Sequence, residues 1–205
     1  MSLAARMAAL GTATIGETAP SARIVALPLR PLAPDMVAAG PALTVRCRPG
    51  DNLALHRAIA AAVPGDVLVV DYGGSTESGP FGEIMALACQ LRGIAGLVTD
   101  GSVRDSARLI EMGFPVFARG LNIRGTTKRD RGEIGQPVTL GGVRIGRGDL
   151  VVADADAVLV VPAADADAAL SAGEARAAKE ARMMERLRAG ETSLQILGLT
   201  EGDEP

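Results

Sequence analysis

Runs of apolar residues separated by glycine-containing loops predict two consecutive strand–helix units in the middle of the chain. Residues 67–71 and 95–100 are strand-like, and each run is followed by a loop and a stretch with helical periodicity. A third apolar run covers residues 115–118. Strands that alternate with helices at this spacing predict a parallel sheet with right-handed crossovers, in which ligands bind beyond the carboxyl ends of the strands.

The N-terminal side has weaker patterns. Residues 1–10 are rich in Ala and are predicted to be helical, whereas Gly and Pro interrupt residues 11–30, which we expect to run over the surface. Residues 41–48 alternate as in a strand. Residues 52–63 have helical periodicity, which ends before a Pro-Gly pair.

On the C-terminal side, a β segment precedes a long helix. Residues 136–162 have β character with turns. Residues 163–190 predict a C-terminal helix that Gly190 caps, and residues 191–205 a tail. The pattern therefore predicts one α/β domain over residues 1–205 with a largely parallel central sheet.

An acidic cluster lies within the C-terminal β segment. Asp154 and Asp156 fall between two β runs, in a sequence that could offer carboxylate ligands. Asp is also common in turns, because its side chain hydrogen-bonds the backbone two residues ahead. We favour the turn for both residues.

Composition narrows the class of protein. Hydrophobic residues make up 48% of the 205 residues and aromatic residues 2%, so Ala, Val, Leu and Ile must build the core. The net charge is −3 without a basic block, so we expect no nucleic-acid partner. No apolar run approaches the roughly 20 residues of a membrane span, and from the N-terminal residues we expect no secretory signal. Cys47 and Cys89 have the spacing of neither a zinc site nor a disulfide framework. Together these features predict a soluble, cytoplasmic protein.

The single histidine limits the possible chemistry. His56 lies within the predicted helix of residues 52–63, where we favour a packing role over catalysis. Neither an HExxH zinc motif nor a local Ser-His-Asp signature is present. Any metal would take oxygen ligands, which favours Mg²⁺ or Mn²⁺ over zinc. Lys128 and Lys179 lie in polar stretches, so neither is placed for a Schiff base.

Two loops carry the candidate chemistry. The loop after the first strand contains four glycines before Glu83, which opens the next helix. Such a loop lets a ligand approach closely, although an ordinary turn with a dipole-compensating Glu83 explains it equally well. The second loop carries Arg104 and Asp105, which could be a solvated ion pair. Because both loops open at one sheet edge, we favour a site in which Asp105 binds a hard cation and Arg104 a carboxylate.

Four segments carry a recognisable pattern: PGDVLVVDYGG, FGEIMALACQLRGIAGLVTDGSVRD, GFPVFARG and GRGDLVVADADAVLVVP. Together they resemble the RraA-like family, over about residues 10–190. The most specific motif is an acidic residue, twenty further residues and then Arg-Asp, and Glu83, Arg104 and Asp105 occupy these positions. The family includes 4-hydroxy-4-methyl-2-oxoglutarate and 4-carboxy-4-hydroxy-2-oxoadipate aldolases, oxaloacetate decarboxylases and the regulator of ribonuclease E activity A.

The resemblance implies a role for each motif residue. Asp105 would bind Mg²⁺ directly, and Glu83 would hold metal-bound waters at a position where relatives commonly have Asp. Arg104 would bind the carboxylate of the substrate. Further contacts to that carboxylate would come from the backbone around Gly82, Ile84 and Met85.

The resemblance also implies an α/β/α sandwich assembled as trimers or hexamers. The C-terminal helix would carry an acidic residue into the next subunit's site, and Glu180 matches that position. A solvated Glu180 paired with Arg176 on the same helix is the alternative. Arg108 stands three positions after Asp105, where aldolase members often have a carboxylate, which favours a simpler metal-assisted decarboxylation.

The residues and the resemblance together predict a metal-dependent, class II carbon–carbon lyase that acts on small 2-oxo acids. Mg²⁺ or Mn²⁺ and Arg104 would stabilise the pyruvate enolate formed by an aldolase or an oxaloacetate decarboxylase. The alternative is a non-catalytic, protein-binding regulator of ribonuclease E activity, which would not need Glu83 or Asp105. The glycine pattern matches neither GxGxxG nor a phosphate loop, so a methyltransferase with a nucleoside cofactor is disfavoured.

Overall fold

The computed structural model describes residues 1–199 as an α/β fold. The helices are α1 Leu3–Thr18, α2 Leu53–Ala61, α3 Glu83–Leu91, α4 Ser106–Glu111, α5 Ala166–Arg188 and α6 Ser193–Leu197. The strands are β1 Arg23–Ile24, β2 Arg30–Pro31, β3 Ala38–Arg46, β4 Val67–Asp71, β5 Gly96–Thr99, β6 Ser102–Val103, β7 Val116–Ala118, β8 Gly120–Leu121, β9 Glu133–Ile134, β10 Val138–Leu140, β11 Val143–Ile145, β12 Leu150–Ala153 and β13 Val158–Val161. None of the helices within residues 1–199 combines the length and hydrophobicity that a membrane span needs.

The main sheet has a parallel centre that positions the candidate site. Strands β3, β4, β5 and β7 lie side by side and run parallel, as the sequence predicts. Antiparallel strands extend the sheet, with β12, β13 and β1 beyond β3 and with β2 beyond β7. The carboxyl ends of β4 and β5 therefore meet at one edge of the sheet, where ligands of such folds bind.

Helices pack on one face of this sheet. Leu43 of β3 belongs to the core that α2, α3 and α4 cover, and Ala39 of the same strand packs with α1 and α5. Alternating side chains point to opposite faces of a strand, so these two odd-numbered residues share a face. The hairpin of β10 and β11 covers the opposite face, where Val138 and Leu140 belong to the same core as Val69. The α/β class, the parallel centre, the C-terminal β segment and the long C-terminal helix are confirmed.

The N-terminal segment differs from the predicted surface run over residues 11–30. Helix α1 bends at Gly11, where φ is +78°, and then continues to Thr18. The carboxylate of Asp154 accepts hydrogen bonds from the backbone N–H and the hydroxyl of Thr12, both at 2.7 Å. Asp154 thereby caps the second half of the helix, besides supporting its own turn through the N–H of Asp156. Strands β1 and β2 join the edges of the sheet.

The C-terminal region is more helical than predicted. Helix α5 ends at Arg188 and Gly190 follows with φ +96°, in agreement with its predicted capping role. The predicted tail contains α6, which begins with a capping box formed by Thr192 and Gln195. This pair satisfies backbone groups on both sides of the helix start, so a short helix forms where a tail was expected. The remaining tail residues, 200–205, lie outside the described part of the chain.

Candidate active site

Two neighbouring loops bring Asp105 against the start of α3. The Oδ2 atom of Asp105 accepts a hydrogen bond from the backbone N–H of Glu83 at 3.1 Å. Glu83 is the first residue of α3, so the carboxylate of Asp105 lies at the positive end of the helix dipole. The strand order predicts this meeting of the two loops at one sheet edge.

Asp105 has an unusual backbone conformation. Its φ of 58° and ψ of 33° are left-handed, and it is the only non-glycine residue with positive φ within residues 1–199. Asp tolerates this conformation better than most residues with a side chain. A residue keeps such a strained backbone conformation only where the surrounding structure holds it, and residues of this kind cluster at functional sites.

Arg104 lies beside this carboxylate. Its Nε atom is 3.6 Å from Oδ2 of Asp105, and the two side chains are 40% and 42% exposed. The backbone N–H of Arg104 donates to the carbonyl of Phe81 at 2.9 Å, and Phe81 stacks on Phe114 in the core. Within residues 1–199 the two terminal guanidinium nitrogens have no hydrogen-bond partner. The fork of Arg104 can therefore bind a carboxylate.

Glycines let the two loops approach each other closely. A Cβ at Gly82 would clash with Oδ2 of Asp105 and lie 2.9 Å from Cγ of Arg104. A Cβ at Gly79 would clash with the carbonyl oxygen of Asn122 and lie 3.0 Å from Cβ of Arg104. The close packing of Arg104, Asp105 and Asn122 therefore explains the glycines at these two positions.

The backbone N–H groups at the start of α3 differ in their availability. Glu83 donates to Asp105, and Met85 donates to the carbonyl of Gly82 at 3.0 Å. The N–H of Ile84 has no acceptor among residues 1–199. The N–H of Met85 is thus engaged, and that of Ile84 is the group that can bind a substrate.

Asp100 and Tyr72 fix the glycine-rich loop, a role that the sequence patterns did not predict. Asp100 is 6% exposed and accepts hydrogen bonds from the backbone N–H groups of Tyr72 and Gly74. Burial raises the pKa of Asp100, although these hydrogen bonds oppose the shift. The hydroxyl of Tyr72 pairs with Ser78 at 2.9 Å and accepts from the N–H of Gly50 at 2.7 Å. The sequence feature that could have indicated this role of Asp100 is an acidic residue at the end of a buried strand.

A cleft of about 330 Å³ lies past the carboxyl end of β3. It is lined by Arg48, Pro49, Asp51, Thr127, Arg129 and Asp130. Burial would raise the pKa of Asp51, but hydrogen bonds from the Thr127 hydroxyl and from the backbone N–H groups of Leu53 and Arg129 hold it at about 2. The ionised Asp51 therefore ties the loop around Thr127 to the start of α2.

His56 lies apart from the candidate site. It is half-buried on α2, and burial together with the charge of Lys128 lowers its pKa. Within residues 1–199 no hydrogen bond or ion pair joins His56 to Arg104 or Asp105. The packing role favoured by the sequence agrees with this position.

The residues present suit a hard cation. One carboxylate oxygen of Asp105 and both of Glu83 have no hydrogen-bond partner in the described part of the chain. Residues 1–199 contain no group of three or more His, Cys, Asp or Glu that could hold a metal ion. A cation at this site would therefore bind one or two carboxylates and take its other ligands from water, substrate or another subunit, an arrangement typical of Mg²⁺.

Glu180 lies on a different part of the chain from these residues. Its Oε1 atom accepts a hydrogen bond from Nε of Arg176 at 2.7 Å, which is the local pair that the sequence offered as the alternative. No hydrogen bond or ion pair joins Glu180 to Glu83, Arg104 or Asp105 within residues 1–199. Within residues 1–199 the structure therefore does not bring Glu180 together with the other predicted site residues.

Helix α3 presents an exposed apolar stripe next to the site. Ile84, Leu87 and Leu91 are 79%, 50% and 80% exposed and lie at helical spacing on one face. Ile123, in the loop after β8, is 92% exposed. An exposed apolar stripe like that of α3 is typical of an interaction face.

Comparison with known proteins identifies the family. Residues 12–160 match the RraA-like family model, described as Aldolase/RraA. A protein of Halalkalibacterium halodurans named "Putative 4-hydroxy-4-methyl-2-oxoglutarate aldolase" is 41% identical over 134 residues. That match covers 65% of this chain and 64% of the relative, so the chain spans somewhat less than two thirds of the length of that curated relative.

Solved structures share the fold. An uncharacterized protein from Pseudomonas syringae pv. tomato has a TM-score of 0.85 and 27% identity, over 94% of this chain and 91% of that protein. The RNA-processing inhibitor RraA from Thermus thermophilis has a TM-score of 0.69 and 27% identity, over 74% of this chain and 92% of that protein. The family match spans the motif residues Glu83, Arg104 and Asp105. The chain therefore belongs to the RraA-like family.

Proposed function

We propose that the protein is a divalent-metal-dependent carbon–carbon lyase for small 2-oxo acids, acting as a 4-hydroxy-4-methyl-2-oxoglutarate aldolase, an oxaloacetate decarboxylase or both. The observation that carries the proposal is the contact of Asp105 with the N–H of Glu83, beside the unpaired guanidinium fork of Arg104 in the described chain. A protein-binding role alone would not need a cation and two carboxylates at one sheet edge. Family membership and the relative named as an aldolase support the proposal.

The two carboxylates are assigned to the metal. Asp105 would hold Mg²⁺ or Mn²⁺ directly, and Glu83 would hold it through water. When bound, the ion supplies Lewis-acid stabilisation of the negative charge that develops on the 2-oxo acid. The N–H of Glu83 fixes the orientation of the Asp105 carboxylate, so this ligand is organised before the cation arrives.

Arg104 is assigned to the substrate. Its terminal nitrogens would bind the carboxylate of the 2-oxo acid, together with the N–H of Ile84 and beside the side-chain-free Gly82. Aldol cleavage and decarboxylation both leave a pyruvate enolate, so one arrangement of charges can serve either reaction. The guanidinium would orient the substrate and stabilise the developing charge. Water is the proposed proton carrier, because His56 does not contact the site.

We also propose that the sites are shared between subunits of a trimer or hexamer. Glu180 would enter the site of a neighbouring subunit, because it lies beyond Gly173, the last buried residue of α5, and its hydrogen bond is to Arg176 and not to the site residues of its own chain. The exposed apolar stripe of Ile84, Leu87 and Leu91 supports the presence of a covering subunit, because it borders the site. The other expected partner is the small 2-oxo acid, with no nucleic acid and no membrane. Cytoplasmic location stays a prediction.

The second candidate function is regulation of a ribonuclease without turnover. It is favoured by the structural similarity to the RNA-processing inhibitor RraA, with a TM-score of 0.69. Such a role would depend on the outer surface of the assembly. It would therefore survive replacement of Arg104 and Asp105, whereas lyase activity would not.

Pyruvate release from the purified protein tests the main proposal. Oxaloacetate and 4-hydroxy-4-methyl-2-oxoglutarate are supplied separately, each with Mg²⁺ and with EDTA, against spontaneous decay without protein. We expect Mg²⁺-dependent release from at least one substrate. Release no faster than the spontaneous rate from both would refute the lyase, and capture of ribonuclease E by that same preparation would then support the regulator.

A further inference from the structure

Helix α5 leaves the body of the domain before it reaches Glu180. Its buried residues all lie in its first part: Ala166, Ala169, Leu170 and Gly173. A Cβ at Gly173 would lie 2.7 Å from Cδ1 of Leu10, so this glycine lets α1 and α5 approach closely. Beyond Gly173 no residue of α5 is buried. Glu180 is therefore carried on a projecting part of the helix.

Arg176 joins this projecting part to the body of the domain. Its Nη2 atom lies 2.6 Å from Oε2 of Glu17 on α1, and its Nε atom donates to Oε1 of Glu180 at 2.7 Å. Within residues 1–199 this is the most C-terminal ion pair between α1 and α5. One guanidinium thus holds a carboxylate of α1 on one side and the carboxylate of Glu180 on the other.

We propose that Arg176, anchored by Glu17, is a positioning residue that sets the carboxylate of Glu180 in the direction of the neighbouring subunit's site. This inference rests on the proposed shared site and adds the device that orients its incoming acid. An unanchored glutamate on an exposed helix samples several rotamers, and fixing them in advance removes an entropic cost of the active arrangement. Exposed ion pairs contribute little to stability, so the effect is expected in turnover and not in folding.

A second ion pair between the same helices provides a matched control. Arg6 of α1 donates to both carboxylate oxygens of Glu174 on α5, at 2.8 Å and 2.6 Å. This pair also joins α1 to α5, but neither residue contacts Glu180. Removing it tests whether loosening of the two helices alone changes activity.

A double-mutant cycle in the assembled protein tests the inference. Arg176→Met, Arg6→Met, Glu180→Gln and the two double variants with Glu180→Gln are assayed for kcat and KM of pyruvate release with saturating Mg²⁺. We expect Arg176→Met to lower kcat about tenfold with a nearly unchanged KM, and Arg6→Met to leave both unchanged. In the Glu180→Gln background, Arg176→Met should cause no further loss, because its effect passes through Glu180. Arg176→Lys should restore part of kcat.

Each contrary result has a distinct meaning. A wild-type kcat in Arg176→Met overturns the positioning role and leaves the lyase intact. The same conclusion follows if Arg176→Met lowers kcat as much in the Glu180→Gln background as in the wild type. An equal loss in Arg6→Met also overturns it, because the effect is then one of helix packing. Glu180→Gln with wild-type kcat overturns the shared site itself, and this inference with it. Glu17→Gln repeats the test if Arg176→Met does not fold, and wild-type kcat in Glu17→Gln would likewise overturn the role.

Discussion

The backbone N–H of Glu83 donates a hydrogen bond to Oδ2 of Asp105 at 3.1 Å, between residues 22 positions apart in the chain. This bond joins the loops after two neighbouring parallel strands, β4 and β5. It makes one structural unit of two acidic residues that are separate in the sequence. The unit depends on Gly82, because any side chain there would meet the Asp105 carboxylate.

Gly82→Ala should disrupt the site with little loss of folded protein. The added Cβ would clash with Oδ2 of Asp105 and must displace it, so we expect kcat/KM to fall at least about tenfold. Gly125→Ala is the matched control, because a Cβ at Gly125 meets nothing within 4 Å. Steady-state kinetics of both variants check the prediction, and equal activities would show that the close approach is not needed.

Arg104→Ala should weaken substrate binding and turnover and leave metal binding largely intact. The side chain is 40% exposed and its ion pair among the described residues is with Asp105, so its loss should not unfold the protein. We expect kcat/KM to fall at least about tenfold, which corresponds to about 1.4 kcal/mol. Titration with Mn²⁺ should give nearly the wild-type affinity. Wild-type kinetics in this variant would mean that the carboxylate-binding residue lies elsewhere.

Mixed assemblies test whether sites are shared. Asp105→Ala and Glu180→Ala subunits should each retain only a small part of the wild-type activity when assembled alone. Dissociated, mixed and reassembled, they should regain part of the activity, because some interfaces would combine an intact Asp105 with an intact Glu180. Light scattering should report a trimer or hexamer. A monomer, or full activity of Glu180→Ala alone, would rule out the shared site.

Ionisation of Asp51 should make the stability of the protein depend on pH in the acid range. Burial raises its pKa, but hydrogen bonds to the carboxylate lower it further, from 3.8 to about 2. Its contribution is therefore fully present above the unfolded value and is lost as the pH falls toward about 2. Asp51→Asn should lower the free energy of unfolding at neutral pH by about 1–3 kcal/mol and flatten its decline below pH 4.

Denaturant unfolding between neutral pH and pH 2 measures this difference. Asp35→Asn is the control, because Asp35 is exposed. The same pH slope in Asp51→Asn and in the wild type would contradict the assignment.

Local patterns predicted the central fold, and long-range contacts decided the rest. The strands β4 and β5 were predicted because apolar runs and glycine turns are local signals. The continuation of α1 to Thr18 was not predicted, because the second half of the helix is capped by Asp154, which is 142 positions away from Thr12. Gly11 interrupts the helix, as its residue type suggests, and the distant carboxylate of Asp154 caps the part of the helix that follows.

The candidate site was predictable to the same extent. Strand order alone brings Glu83 and Asp105 to one edge of the sheet. The engaged N–H of Met85 could not be predicted, because hydrogen bonding at the start of α3 depends on the local backbone geometry. Asp100 joins the end of β5 to the glycine-rich loop by accepting hydrogen bonds from the N–H groups of Tyr72 and Gly74. No sequence motif specifies these hydrogen bonds. The proposed role of Glu180 rests on the family resemblance and not on a contact within residues 1–199.

Metal-dependent turnover through Asp105 is the central claim, and one titration tests it most directly. Pyruvate release is measured after exhaustive EDTA treatment and then with increasing Mg²⁺ or Mn²⁺, for the wild type and for Asp105→Asn. Asn tolerates the left-handed backbone and keeps a hydrogen-bond acceptor for Glu83, so folding should survive the change. We expect chelation to abolish wild-type activity and either ion to restore it, whereas neither ion should restore Asp105→Asn to within about tenfold of the wild type. Full wild-type activity after chelation, or wild-type kinetics in folded Asp105→Asn, would contradict it.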